Sequence, residues 1–308
     1  MATGTTLVSG VGGLIGGAVA CELAALGRPV VGLDRMPHGS TTYPFEPHEL
    51  GDAHRLHEII LKHGVRSIVH AGGISGPMVL PGNPVRVAAI NIMGLVDMLE
   101  AMRIHKLERL VWFSTVNIYG ETDDPAPVGE KAPRRPVTAY GASKLAGEAM
   151  LAAYKEEHGI DGVALRVSST YGPGRTSACF IRTLIENAVL GQPTRVPDAD
   201  RRTRQHIFVE DVVSATIAAL DQPRLRQLAY NIAPGAALTT AEVVAEVART
   251  VPDVRIEIAS DGMPWNSFRL GPLDISAARR DFGWEPRISL AEGARLYAEW
   301  LAKKDNIK

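Results

Sequence analysis

Cysteine is scarce in this chain: 308 residues carry two, Cys21 and Cys179, far apart and outside any C-x-x-C or His/Cys cluster. That argues against a disulfide framework or a cysteine-based zinc site and fits a reducing compartment. No apolar run approaches the roughly 18 residues of a membrane span. The opening residues MATGTTLVSG lack a basic region leading into an apolar run and a cleavage site. The expectation is a soluble, untargeted, cytoplasmic protein. Charge of one sign is missing too, since 33 basic residues face 34 acidic ones for a net charge of −1. Nothing there recruits a nucleic acid or an anionic membrane, and a small-molecule partner is expected instead. Solenoid repeats and low-complexity tracts are absent. His48, His54, His57, His70 and His206 read as structural or solvated, so no metal is expected.

What is present is alternation. Short apolar runs, TTLVSG, PVVGLD, SIVHAG, RLVWFST and GVALRVSS, are separated by helical patterns at 14–27, 53–64, 84–104 and 138–158. Apolar runs buried on both faces and joined by helices predict an α/β protein of Rossmann type with a doubly wound parallel sheet. After about residue 173 the pattern loosens: helices at 177–190, 210–221, 240–250 and 289–304 are interrupted by RVPDADRRTRQHIFVED, LAYNIA, VRIEIA and a Pro/Gly-bearing stretch, 261–274. Residues 1–173 are expected to form the nucleotide-binding domain. Residues 174–308 are expected to form mainly a smaller C-terminal α/β substrate-binding cap, with segments returning to the core.

Two constellations carry chemistry. The first apolar run enters SGVGGLIGG, where Gly10, Gly13 and Gly16 form G-x-x-G-x-x-G at the start of a helix. Glycine permits the tight turn and lets backbone N–H groups meet a pyrophosphate at the positive helix end. Asp34 closes the second run, where a carboxylate accepts hydrogen bonds from an adenosine ribose. Its charge favours NAD over NADP, although the adjacent Arg35 leaves the phosphorylated form open. The second constellation is AYGASKLAGE, in which Tyr140 and Lys144 are four apart and share one helix face. A cation beside a phenol favours the phenolate, which suits the pair to proton transfer.

In order along the chain, the glycine turn, Asp34, GD at 51–52, HAGG at 70–73, NIMG at 91–94, FSTVNIYG at 113–120, Y-x-x-x-K, LRVSSTYGPG at 165–174, FVED at 208–211 and FGWEP at 282–286 resemble an extended short-chain dehydrogenase/reductase of the NAD-dependent epimerase/dehydratase type. The resemblance spans nearly the whole chain. It implies that Tyr140 transfers the proton, that Lys144 holds the nicotinamide ribose and lowers the tyrosine pKa, and that Thr115 hydrogen-bonds the reacting oxygen. It also implies a cofactor site of Gly10, Gly13, Leu14, Ile15, Gly16, Asp34, Arg35, Asp52, Ala53, Ala71, Gly72, Gly73, Asn91, Ser114, Tyr140 and Lys144. Within that site Asp52 meets the adenine and Asn91 holds the active-site helix and a water. Gly73 stands where such proteins often have alanine. Val116 and Asn117 replace the Asp-Glu pair of the 4,6-dehydratases, so water elimination is not expected. Helices 84–104 and 138–158 resemble the pair through which such enzymes form homodimers.

The substrate remains divided between readings. Ser169 stands where nucleotide-sugar epimerases usually carry asparagine, and both Ser169 and Ser75 resemble the sugar-acid contacts of uronate dehydrogenases. Arg175 suits a bidentate pairing with a carboxylate. Against that, the C-terminal cap is present, and Arg204 and Arg269 resemble the arginines that grip a nucleotide diphosphate. Asn117 completes the expected substrate set, with Pro77 and Met78 at the pocket mouth. The balance falls on an NAD-dependent dehydrogenase of a sugar-type secondary alcohol (sugar, sugar acid or polyol). The alternatives are a nucleotide-sugar 4-epimerase of the UDP-glucose epimerase type and a non-catalytic NAD-binding regulator.

Overall fold

The computed structural model describes residues 4–37, 42–122, 126–196, 203–259 and 269–303. In chain order its elements are β1 (Thr5–Ser9), α1 (Leu14–Ala25), β2 (Val30–Asp34), β3 (Phe45–Pro47), α2 (Ala53–His63), β4 (Val65–His70), α3 (Pro84–Ala88), α4 (Gly94–His105), β5 (Arg109–Thr115), α5 (Ala139–His158), β6 (Gly162–Val167) and β7 (Ser169–Tyr171). There follow α6 (Phe180–Val189), β8 (Thr194–Val196), β9 (Thr203–Arg204), β10 (His206–Phe208), α7 (Val209–Asp221), β11 (Ala229–Ile232), β12 (Leu238–Thr239), α8 (Thr240–Ala248), β13 (Ile256–Ile258), α9 (Ser276–Phe282) and α10 (Leu290–Lys303).

Seven strands form one sheet in the order β11-β6-β5-β4-β1-β2-β3, and every pairing in it is parallel. Because strand side chains alternate, each central strand feeds two cores. Leu7, Ile68, Leu110 and Trp112 pack on the side of α2 and α4. Val8, Val69 and Val111 pack with residues of α1 and α7 on the other. That double burial is why the strands read as continuous apolar runs. LAYNIA, grouped with the loosely patterned half, is the sheet's seventh strand, paired with β6 through Ala229↔Ala164 to Ile232↔Val167.

Local signals set the helix ends. The Asp52 side chain caps α2 by accepting from the Arg55 N–H, and Gly64 ends the helix in the left-handed conformation. Thr138 caps α5 the same way, accepting from the Gly141 N–H. The helix expected at 84–104 is interrupted: Ala89–Met93 is π-helical between α3 and α4. The short edge strand β3 and the seven-residue α9 had no periodic signal of their own.

The remaining strands pair in twos: β7 with β10 in parallel, β9 with β12 antiparallel and β8 with β13 in parallel. Two of the sequence motifs are halves of one clamp. In FVED, the Asp211 carboxylate accepts from the backbone N–H groups of Arg287 and Ile288. In FGWEP, the Trp284 indole N–H donates to the Asp211 carbonyl and the Ser214 hydroxyl. Arg201, Arg202 and most of 261–274 lie outside the described residues.

Candidate functional site

A cavity of about 850 Å³ opens at the carboxyl ends of the strands. It lies at the β1/β4 junction where the strand order reverses, the place where doubly wound sheets bind ligands. One part is shaped for a dinucleotide. Gly10 has φ +76°, and a Cβ there would lie 2.6 Å from the backbone of Ala71 and Gly72. A Cβ on Gly16 would lie 2.3 Å from the Gly10 carbonyl oxygen. With Gly13 as N-cap no side chain caps α1, so the first-turn N–H groups of Leu14, Ile15 and Gly16 stay available to an anion. Asp34 is fixed by accepting from the backbone N–H groups of Gly12 (2.9 Å) and Arg35 (2.7 Å). Gly12, which the spacing did not single out, packs against that carboxylate: a Cβ there would lie 2.9 Å from Asp34 Oδ2 and push it aside.

The candidate reacting end lies at the tips of β5 and α5. Thr115 Oγ1 accepts twice from Asn117, from its backbone N–H (3.2 Å) and from Nδ2 (3.0 Å). With both acceptor positions taken, the hydroxyl has one proton to donate, and Tyr140 is its hydrogen-bond partner. Burial raises the Tyr140 pKa above the ordinary value, while the Thr115 hydrogen bond and the Arg175 charge lower it. The sequence assigned that lowering to Lys144. Here the Lys144 ammonium donates to the Phe113 carbonyl (2.8 Å) and sits 4.9 Å above the Trp112 ring. Burial lowers its own pKa to about 8. Both Tyr140 and Lys144 line the cavity, on the one helix face their spacing implied.

Other expected residues divide. Arg35, Ala71, Gly72, Gly73, Ser75, Ser169, Arg175 and Arg204 lie on the cavity wall. Gly73 has φ +134°, so the alanine common at its position would be strained here. Ser114 also borders the cavity, but its hydroxyl donates to the buried Glu148 carboxylate (2.7 Å). Glu148 in turn holds Arg166 through two bonds of 2.9 and 2.7 Å.

Asn91 lies behind the wall, where it orders the site. Its Oδ1 accepts from the Ile74 N–H, its Nδ2 donates to Ser143 Oγ, and Ser143 donates to the Tyr140 carbonyl. The π-helical turn is what aims it between the two segments. Asp52 and Ala53 are not on the wall. His48, Glu49 and Leu50 occupy that side, and the Asp52 carboxylate is used as the helix cap. Arg269 is exposed and away from the wall, which Leu270 reaches instead.

Arg175 differs most from expectation. Its guanidinium donates to the backbone carbonyls of Thr170, Ser177 (3.4 Å) and Ala178 (2.9 Å), stapling its own loop rather than presenting a free fork. Arg204 is buried, packs 4.4 Å over the Phe180 ring and donates to the Thr240 hydroxyl. His206, Gln205 and Thr203 extend that wall, and nothing in their spacing had marked them.

A Thr-Tyr-Lys set beneath a glycine-cradled nucleotide groove defines an extended short-chain dehydrogenase/reductase. The chain belongs to the NAD dependent epimerase/dehydratase family, which it matches over residues 6–233. It is 28% identical over 318 residues, 97% of this chain and 99% of the relative, to the UDP-glucose 4-epimerase of Mycolicibacterium smegmatis. Among solved structures it is similar to the UDP-glucose 4-epimerase of Thermus thermophilus in complex with NAD, with a TM-score of 0.85, 26% identity and 97% and 99% of the two chains covered. It is also similar to MoeE5 in complex with UDP-glucuronic acid and NAD, with a TM-score of 0.86, 27% identity and 97% and 99% covered. The family's cofactor is NAD, and the glycine cradle and fixed Asp34 carboxylate fit it. Among the described residues no group of three His, Cys, Asp or Glu side chains forms a metal site, and no helix is long and apolar enough to cross a membrane.

Proposed function

We propose that the protein is a nucleotide-sugar 4-epimerase, the reading that ranked second on sequence, rather than a net sugar or sugar-acid dehydrogenase. The observation that carries it is the state of Arg175. Arg175, the candidate partner of a free sugar acid, has each of its three guanidinium nitrogens bonded to a carbonyl of its own loop. Arg204, the candidate partner of a diphosphate, is held in the cavity wall by Phe180 and Thr240. The UDP-glucose 4-epimerases among its relatives support the same choice.

In this reading Tyr140 takes the proton of the sugar's 4-hydroxyl, with Thr115 donating its hydrogen bond to the phenol oxygen that receives it. NAD, held by the glycine turn and Asp34, would supply a reversible acceptor for the C4 hydride. Tyr140 gives the proton back after the 4-keto sugar has presented its other face, so no net oxidation results. Asn117 keeps the Thr115 proton directed at Tyr140. Lys144, placed on the same wall, is the residue for the nicotinamide ribose.

The test is incubation of the protein with NAD and UDP-glucose, following UDP-galactose by chromatography and NADH by absorbance. Interconversion without accumulating NADH is expected. Stoichiometric NADH, or turnover of a free uronate in place of the nucleotide sugar, would restore the dehydrogenase. Val85, Met93 and Ile104, exposed along 84–105, support a homodimer through that face; sedimentation at working concentration checks it.

A further inference from the structure

The parallel pair β7 and β10, in register His206 with Ser169, contributes a polar stretch of the cavity wall. Two side-chain atoms at this place, Ser168 Oγ just ahead of β7 and His206 Nε2 on β10, are buried without a hydrogen-bond partner. Ser168 is only 5% exposed. Among the described residues the other orphaned atoms, on Ser67, Arg109, Trp112 and Tyr297, belong to residues away from the cavity. Buried polar atoms are normally paired, so two orphans in one stretch of a ligand cavity mark a place where a ligand supplies the missing bond.

The chemistry of the histidine limits what that bond can be. Burial, with the charges of Arg204 and Arg175, pushes the His206 pKa down to about 3, so the ring is neutral. The ring is also hydrogen-bonded to the Ser169 backbone. Since Nε2 has no partner, the nitrogen making that bond is Nδ1, which leaves Nε2 as a bare acceptor. The ring is held in place, stacked on Phe180 at 6.2 Å and met edge-on by Tyr171 at 6.2 Å.

Neighbours locate it along the cavity. Phe180 carries the Arg204 guanidinium on the same ring, which puts His206 beside the candidate diphosphate grip. The Arg175 charge acts on both His206 and Tyr140, which puts His206 towards the reacting end. The group between those two points is the glycosyl unit.

We propose that His206 Nε2 accepts a hydrogen bond from a hydroxyl of the sugar ring and that Ser168 Oγ is the second partner of that hydroxyl, making the two residues the specificity contact for the glycosyl unit. A neutral acceptor at that point favours a hydroxyl over a carboxylate, whose lone pairs it opposes. The inference rests on the nucleotide-sugar reading above.

The experiment compares wild type, His206→Phe, His206→Gln and Ser168→Ala, each with NAD bound. The readouts are KM and kcat for UDP-glucose, and dissociation constants for UDP, UDP-glucose and its 2-, 3- and 6-deoxy analogues. Phenylalanine keeps the ring between Phe180 and Tyr171 but has no acceptor, and should raise KM for UDP-glucose roughly tenfold while leaving UDP affinity unchanged. Glutamine restores an acceptor and should recover part of the loss. One deoxy analogue should bind wild type as weakly as His206→Phe binds UDP-glucose, and His206→Phe should not distinguish the two. Equal KM in wild type, His206→Phe and Ser168→Ala overturns the inference while leaving the epimerase reading intact, and so does an equal loss of UDP affinity. A wild type that binds and turns over no nucleotide sugar removes both. Should His206→Phe not fold, Ser168→Ala and His206→Gln decide the same question.

Discussion

Asn117 donates to Thr115 Oγ1 twice, once through its backbone N–H and once through its side-chain amide. The result is a hydroxyl with its proton turned towards Tyr140. Asn117→Ala removes the 3.0 Å side-chain bond and should lower kcat roughly tenfold with little change in KM for UDP-glucose. Thr115→Val removes the group that, ahead of Arg175, lowers the Tyr140 pKa. In the proposed reaction Tyr140 acts as a base in its deprotonated form, so the rising limb of kcat against pH should move to higher pH in Thr115→Val. A pH profile of both variants beside wild type reads the two effects.

Gly16→Ala tests the cofactor cradle. The added Cβ would lie 2.3 Å from the Gly10 carbonyl oxygen, so the turn must shift and its N–H groups lose their aim. NAD affinity should fall at least about tenfold, measured by fluorescence titration, with a fold that is otherwise intact by circular dichroism. Affinity within a factor of two of wild type would contradict the placement of the pyrophosphate.

The Glu148–Arg166 pair underlies the catalytic strand and helix. Both side chains are almost fully buried, and the pair also engages Ser114 and Tyr119. Glu148→Ala leaves a buried guanidinium without its carboxylate and should cost about 3–5 kcal/mol in urea unfolding. The double replacement Glu148→Leu with Arg166→Met should cost less than Glu148→Ala alone, because no buried charge is left unpaired.

Stability should fall in acid through two desolvated histidines. Burial is the main cause that lowers His70 and His206 to about 3 from the ordinary 6.5. Below about pH 6.5 the unfolded chain binds these protons and the folded chain does not. Their contribution is therefore fully present above that pH and is lost as pH falls towards 3, at up to about 1.4 kcal/mol per pH unit for each ring. Urea unfolding of wild type and His206→Phe between pH 7 and pH 5 should show a shallower slope in the variant.

The glycine turn, Asp34, Thr115 and the Tyr140/Lys144 pair were readable because local geometry determines each: a backbone turn that tolerates no Cβ, a strand end, a single helix face. The use of Asn91 was harder to see. It depends on a π-helical interruption that no periodicity announces, and on Ile74 and Ser143 arriving from separate segments. Asp52 has a use that spacing did not announce, since its carboxylate opens α2 as the helix cap. Arg269 lay in a stretch with little pattern, and the chain turns Leu270 to the cavity instead.

By itself the sequence determined the parallel sheet, the glycine turn and the shared helix face of Tyr140 and Lys144, because those follow from side-chain period, from glycine's missing Cβ and from residues four apart on a helix. Only the tertiary structure decided the state of the charged and polar groups. It closed Arg175 onto its own loop, fixed Arg204 against Phe180, gave Lys144 the Phe113 carbonyl and left His206 Nε2 neutral and unpaired. The physical reason is that hydrogen-bond partners and burial are set by atoms brought together from distant parts of the chain, and a charged or polar side chain acts according to those partners rather than its residue type.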